Sequence, residues 1–180
     1  QRDRWSVPWD VAADLGAIKQ VACGNKYTCV LVEDGSLRCF GFNNHGQCSV
    51  PTELGAVKAV AAGAFHTCAL LEDGSVRCFG LNNHGQCSVP TDLGAVKQVA
   101  AGSFYTCVLL ENGSLRCFGC NIGGRGPVLA ELGAIRQVAA DAFHICVLLE
   151  NSSLRCSGQN SRCQCSVPAE LPSIAHVAAG

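Results

Sequence analysis

The feature that most constrains this chain is a 39-residue period. Gly24, Gly63, Gly102, Asp141 and Gly180 are spaced 39 apart, and 30 of 39 positions agree between residues 24–62 and 63–101. A repeat of that length means a solenoid or a propeller, in which no unit buries its apolar surface alone and the fold is read from a single unit. The units are residues 24–62, 63–101, 102–140 and 141–180. Residues 1–23 read as a partial repeat, the tail of a preceding blade, with four extra residues after Pro8. All five pieces are assigned to one domain.

One unit reads as β-structure. Ala56–Gly63 is a short apolar segment closed by glycine, and His66–Gly80 is two strand-like runs around Glu72-Asp73-Gly74-Ser75. The stretch from Leu81 to Gly94 is polar and punctuated by Gly and Pro, too turn-rich for a helix. This gives three strands per repeat, with room for a fourth, short one around Gln86–Val89.

Glu-Asp-Gly suits a type I turn with glycine in the left-handed position of a G1 bulge. That register pairs Leu71 with Ser75 and sets Cys68 opposite Cys78. It also pairs Cys29 with Cys39, Cys107 with Cys117, and Cys146 with Cys156. A two-residue Asp-Gly turn would slip the register by one and part all four pairs. Directly opposed, non-hydrogen-bonded positions lie about 4.5 Å apart at Cα, within reach of a bridge. These eight residues are candidate disulfides. The competing reading is reduced cysteine used as a small core residue. In this register Leu70 is assigned to the face of Arg77 and Phe79, away from the cysteine pair. Neither face is consistently polar, so the sheets must be sandwiched between neighbours.

Charge excludes some functions. Lys+Arg total 13 against 14 Asp+Glu, and the signs alternate along the chain. No basic stripe suggests nucleic acid, and no apolar run is long enough to span a bilayer. The absence of Met reads as a processed product or an excerpt of something longer. Fourteen cysteines raise the question of compartment: secreted or luminal if the pairs are oxidised, cytoplasmic or nuclear otherwise.

The stretch VAAGAFHTCALLEDGSVRCFGLNNHGQC (Val60–Cys87) resembles the repeat of the regulator-of-chromosome-condensation family. It shares a Val-x-x-Val-x-x-Gly start, a His-Thr-x-Ala-Leu strand, an Asp-Gly turn and a Gly-x-Asn-x-x-Gly-Gln loop. The resemblance covers essentially the whole chain. It implies an all-β propeller, here four full blades and a partial one, usually part of a ring of seven. The repeats are short, and Phe40, Phe79 and Phe118, with Ser157 in the last repeat, stand where the family usually has Trp. The third repeat departs again, with CNIGGRGPVLAELG in place of LNNHGQCSVPTDLG.

Other chemistry is weaker. His45 and His84 with Cys48 and Cys87 give His-x-x-Cys, but zinc needs four ligands. Arg162 stands where the fourth repeat would need its histidine, and Gly126 interrupts the cysteine row. No metal and no cofactor are assigned. Cys117-Phe-Gly-Cys120 lacks the helix N-terminus that activates a redox thiol. Cys120 and Cys163 are candidates for an irregular bridge. His66 and His144 alternate with Tyr27 and Tyr105, which suits a half-buried hydrogen-bonding role and not catalysis. Glu33, Glu72, Glu111 and Glu150 read as solvated turn residues, and the row Arg38, Arg77, Arg116 and Arg155 as loop or inter-blade donors. Asn112-Gly-Ser and Asn151-Ser-Ser match the glycosylation triplet.

No catalytic residue set stands out, so the expectation is a non-enzymatic scaffold presenting propeller loops to a protein partner. The candidate contact residues are Phe42, Asn43, Asn44, His45, Leu81, Asn82, Asn83, His84, Ile122 and Arg125. The alternative implied by the resemblance is regulation of a small GTPase by nucleotide exchange. No repeat carries the long insertion that the founding member uses as a wedge. Trp5 and Trp9, both outside the repeats, are too few for the tryptophan cluster of the related plant light receptor.

Overall fold

The structure, a computed structural model, describes residues 15–120 and 132–179. Among these, the regular structure is all β: β1 (Ile18–Cys23), β2 (Tyr27–Val32), β3 (Leu37–Gly41), β4 (Val57–Ala62), β5 (His66–Leu71), β6 (Val76–Gly80), β7 (Val96–Ala101), β8 (Tyr105–Leu110), β9 (Leu115–Gly119), β10 (Ile135–Ala140), β11 (His144–Leu149) and β12 (Leu154–Gly158). They form four three-stranded antiparallel meanders, β1-β2-β3, β4-β5-β6, β7-β8-β9 and β10-β11-β12. These are propeller blades that do not close into a ring. No strand forms around Gln86–Val89, where consecutive turns replace the optional fourth strand.

The sheet frame is offset from the repeat frame. Ile18–Cys23 pairs with Tyr27–Val32, so this segment is the inner strand of the first blade. Residues 24–62 then supply the two outer strands of one blade and the inner strand, β4, of the next.

The hairpin turns have the bulged form. Leu71 N donates to Ser75 O and Gly74 N to Leu71 O, with Gly74 at φ 81°. Cys68 then faces Cys78, as do Cys107 and Cys117, and Cys146 and Cys156. Ser152 takes the turn glycine's place in the fourth blade at φ 65°.

Two residues apart on a strand means the same face. Leu70 therefore lies with Cys68, and the assignment of Leu70 to the face of Arg77 and Phe79 is corrected. The Cys68, Leu70 and Val76 face packs forward onto Val96, Val99, Val108 and Leu110 of the third blade. The opposite face, Ala69 and Leu71 with Val57 and Val60, packs back onto Tyr27, Cys29, Leu31 and Leu37 of the first.

The Val57/Val60 spacing of three would suit a helix better than a strand. A bulge explains it. The β4–β5 pairing skips a residue between Val57 and Ala59, which reverses the alternation and turns both valines to one side. The same irregularity recurs in β1, β7 and β10. Val57, Val60, Val96, Val99, Ile135 and Val138 are all buried by the preceding blade, whereas Ile18 and Val21, on the leading flank, are 50% and 54% exposed.

Side-chain amides tie the inner strands together. Gln98 Nε2 donates to Val138 O at 2.8 Å, and its Oε1 accepts from Val138 N at 3.0 Å. Gln20 grips Val60 and Gln137 grips Val177 in the same way. Each amide satisfies one donor and one acceptor of a neighbouring backbone, as another strand would. Ala59 occupies this position in the second blade.

Three of the four expected bridges are present: Cys68–Cys78, Cys107–Cys117 and Cys146–Cys156, each with 4.1 Å between Cα atoms. Cys29 and Cys39 depart from that expectation. They share the register but are free thiols. Their hydrogen bond lowers the pKa of Cys29 and, with burial, raises that of Cys39. Cys120 and Cys163 are likewise free, so the irregular bridge between them does not form.

Candidate protein-docking face

An antiparallel meander puts the first-to-second strand loop and the segment after the third strand at one end of each blade, and the hairpin turn at the other. The candidate loops gather at the first end. They are internally braced. Asn43 Oδ1 accepts from Cys48 N at 2.8 Å, its Nδ2 donates to Ser49 Oγ at 3.1 Å, and buried Gln47 Oε1 takes the His45 N–H at 3.0 Å. Asn82 and Gln86 repeat this in the next blade. Asn43 and Asn82 thus shape the loop, while Asn44, His45, Asn83 and His84 are exposed beyond it and Leu81 is half-buried.

The third-position cysteines complete the brace. Cys48 donates its thiol to Phe42 O at 3.4 Å and Cys87 to Leu81 O at 3.3 Å. Burial pushes both thiols up to about 11, away from the thiolate form that metal binding or nucleophilic attack needs. Among the described residues no three His, Cys, Asp or Glu side chains gather in a metal-holding arrangement.

The same end carries an aromatic row. Phe42 lies 6.1 Å from His45, His45 meets Phe65 edge-on at 5.4 Å, Phe65 lies 5.7 Å from Phe104, and His84 meets Phe104 edge-on at 5.0 Å (ring centroids). The row runs from the first blade to the third, and Phe143 of the fourth, at the same repeat position as Phe65 and Phe104, is 41% exposed. Phe42, His45, Leu81 and His84 were legible candidates. Phe65, Phe104 and Phe143 were missed, although Phe before a His or Tyr recurs in Ala-Phe-His and Ser-Phe-Tyr. Ile122 and Arg125 lie outside the described residues.

Toward the axis the row borders a depression of about 250 Å³ lined by Gly63, Ala64, Gly102, Ser103, Asp141 and Ala142 among others. Small residues are required there. A Cβ on Gly102 would stand 2.6 Å from the Asp141 carbonyl oxygen. In the fourth blade the Asp141 carboxylate organises its own loop, accepting from Phe143 N at 2.8 Å and His144 N at 2.9 Å and pairing with His144 Nδ1 at 2.8 Å.

The regulator of chromosome condensation (RCC1) repeat model matches residues 18–47, 57–86 and 96–125, half of the chain. The chain belongs to the regulator of chromosome condensation repeat family. Its repeats are those of known propellers by structure as well. It is similar to human WBSCR16 (21% identity, TM-score 0.72, 82% of this chain and 49% of that one). It is similar to Prp20p from Saccharomyces cerevisiae (18%, 0.70, 84% and 46%), described with its binding to Gsp1p and histones. It is also similar to the CRINKLY WD40 ectodomain of the Arabidopsis thaliana receptor kinase ACR4 (24%, 0.66, 87% and 53%). At these identities the likeness establishes the fold alone, and the chain spans about half the length of these structures. A search of curated proteins gave no sequence match. Within this RCC1-repeat chain the matched spans start on the inner strand, in phase with the blades and not with the glycine-to-glycine repeat.

Proposed function

We propose that this chain is a non-enzymatic scaffold that docks a protein partner on the end of the propeller carrying Phe42, His45, Phe65, His84 and Phe104. The observation that carries the reading is the aromatic–imidazole row across three blades, held by loops braced through Asn43 and Asn82. Aromatic anchors on a rigid support supply contact area at small entropic cost and dominate binding energy at interfaces. The test is quantitative affinity capture with the wild-type chain and an F65S/F104S variant, after matching their thermal unfolding. Proteins that bind this face should fall at least about tenfold in recovery, a change of about 1.4 kcal/mol. An unchanged set of captured proteins would overturn the reading.

The second reading is regulation of a small GTPase. It is favoured by the likeness to Prp20p, which is described with its binding to Gsp1p. Accelerated nucleotide release from a GTPase would support it, and docking without any change in release would favour the plain scaffold.

A further inference from the structure

We propose that Asn112 and Asn151 are sites of N-linked glycosylation, on the end of the propeller opposite the aromatic row. Both lie exposed in the hairpin turns of the third and fourth blades. Asn112 Oδ1 accepts from Ser114 N at 3.0 Å and Ser114 Oγ at 2.6 Å. Asn151 does the same with Ser153, at 3.0 and 2.7 Å. The serine of each Asn-x-Ser triplet thus already points its hydroxyl at the asparagine side chain.

The first two blades show that the turn needs only the oxygen. Asp73 Oδ1 accepts from Ser75 N at 2.8 Å and Ser75 Oγ at 2.6 Å, and Asp34 accepts from Ser36 N at 2.8 Å. The asparagines add Nδ2, which makes no hydrogen bond among the described residues. A substituent on Nδ2 leaves Oδ1 in place, so the turn survives modification. The second, independent observation is the set of three cross-strand disulfides, which belong to an oxidising compartment such as the one where glycan transfer occurs.

The transfer needs a lipid-diphosphate-linked oligosaccharide and an oligosaccharyl transferase. Nδ2 bonds to the anomeric carbon of the terminal N-acetylglucosamine, and the bond from that carbon to the diphosphate oxygen breaks. The lipid diphosphate departs with the electron pair, the amide gives up one proton to the transferase's base, and nothing is oxidised or reduced. A six-residue strand such as β8 separates the two ends by about 20 Å. Glycans there would block docking on the hairpin end and leave the aromatic end open.

The test is peptide mapping of protein from its natural source, before and after peptide N-glycosidase treatment. Glycan should be found at both residues, each becoming aspartate on release. Recovery of unmodified asparagine at a residue overturns the assignment for that residue. In the full chain secreted from a eukaryotic host, N112Q and N151Q should each remove one mobility step. S114A, which keeps Asn112, should remove the same step as N112Q. A step that persists in S114A would overturn the assignment at Asn112. Loss of glycan leaves the capture experiment unaffected, so the two proposals fail separately.

Discussion

His66 Nε2 lies 2.8 Å from the hydroxyl oxygen of Thr106, 40 residues ahead on the next blade. That hydroxyl donates to Gln86 O at 2.8 Å, so it accepts from the imidazole and fixes the Nε2–H tautomer. The other ring nitrogen, Nδ1, is buried without a hydrogen-bond partner among the described residues. His66 is fully buried, more so than the half-buried role expected from its alternation with tyrosine. Burial brings its pKa down to about 4.

Stability should therefore fall on acidification. As pH drops from about 6.5, the unfolded histidine takes up a proton that the folded one refuses, until about pH 4. The loss across that window is up to about 3 kcal/mol. H66Y, which installs the residue found at Tyr27 and Tyr105, should flatten this part of the profile. Urea unfolding of both proteins across the window measures it, and parallel profiles would refute the assignment.

The glutamine clamps predict a pair of opposite effects. Q98A removes two inter-blade hydrogen bonds and should cost about 1–2 kcal/mol. A59Q, which supplies the amide missing from the second blade, should stabilise by about 1 kcal/mol. The urea midpoints of the two variants should move in opposite directions.

Reduction should soften each stapled hairpin. A bridge over a separation of 10 residues contributes about 2–3 kcal/mol in the chain-entropy picture. Non-reducing peptide maps should find Cys68–Cys78, Cys107–Cys117 and Cys146–Cys156. Mild oxidation should then close Cys29–Cys39 without loss of structure, because the strands already hold that pair in register.

Ser152 holds the left-handed conformation that glycine takes in the other three turns. S152G should stabilise by about 1 kcal/mol and leave the triplet at Asn151 intact. A lowered melting temperature would contradict this.

N82A should remove the brace from Cys87 N and Ser88 Oγ and destabilise by about 1–2 kcal/mol. The same substitution at Asn83, whose side chain is exposed, should be nearly neutral.

Much of this fold was legible because one local signal repeats. Glu-Asp-Gly-Ser fixed the turn, the turn fixed the register, and the register set each cysteine opposite its partner. What escaped depended on a neighbour one period away. The clamp of Gln98 needs Val138, and the environment of His66 needs Thr106. Leu70 shares the face of Cys68, and not that of Arg77, because β5 alternates strictly. The bulge beside Val57 does break that alternation, and glycine and alanine nearby gave no warning of it. The alignment of Phe65 with Phe104 is likewise a contact between neighbouring blades, one period apart.

The offset between repeat and sheet has an evolutionary consequence. The glutamine clamp of Gln98 on Val138 and the His66–Thr106 contact join residues about one period apart, and each glycine-to-glycine repeat spans parts of two sheets. Unequal exchange between two copies of the gene therefore needs no special breakpoint. A crossover at any codon of one repeat with the matching codon of the next adds or deletes a whole blade and rejoins strands of matched chemistry. The near-identity of residues 24–62 and 63–101 is what a lineage extended in this way would carry.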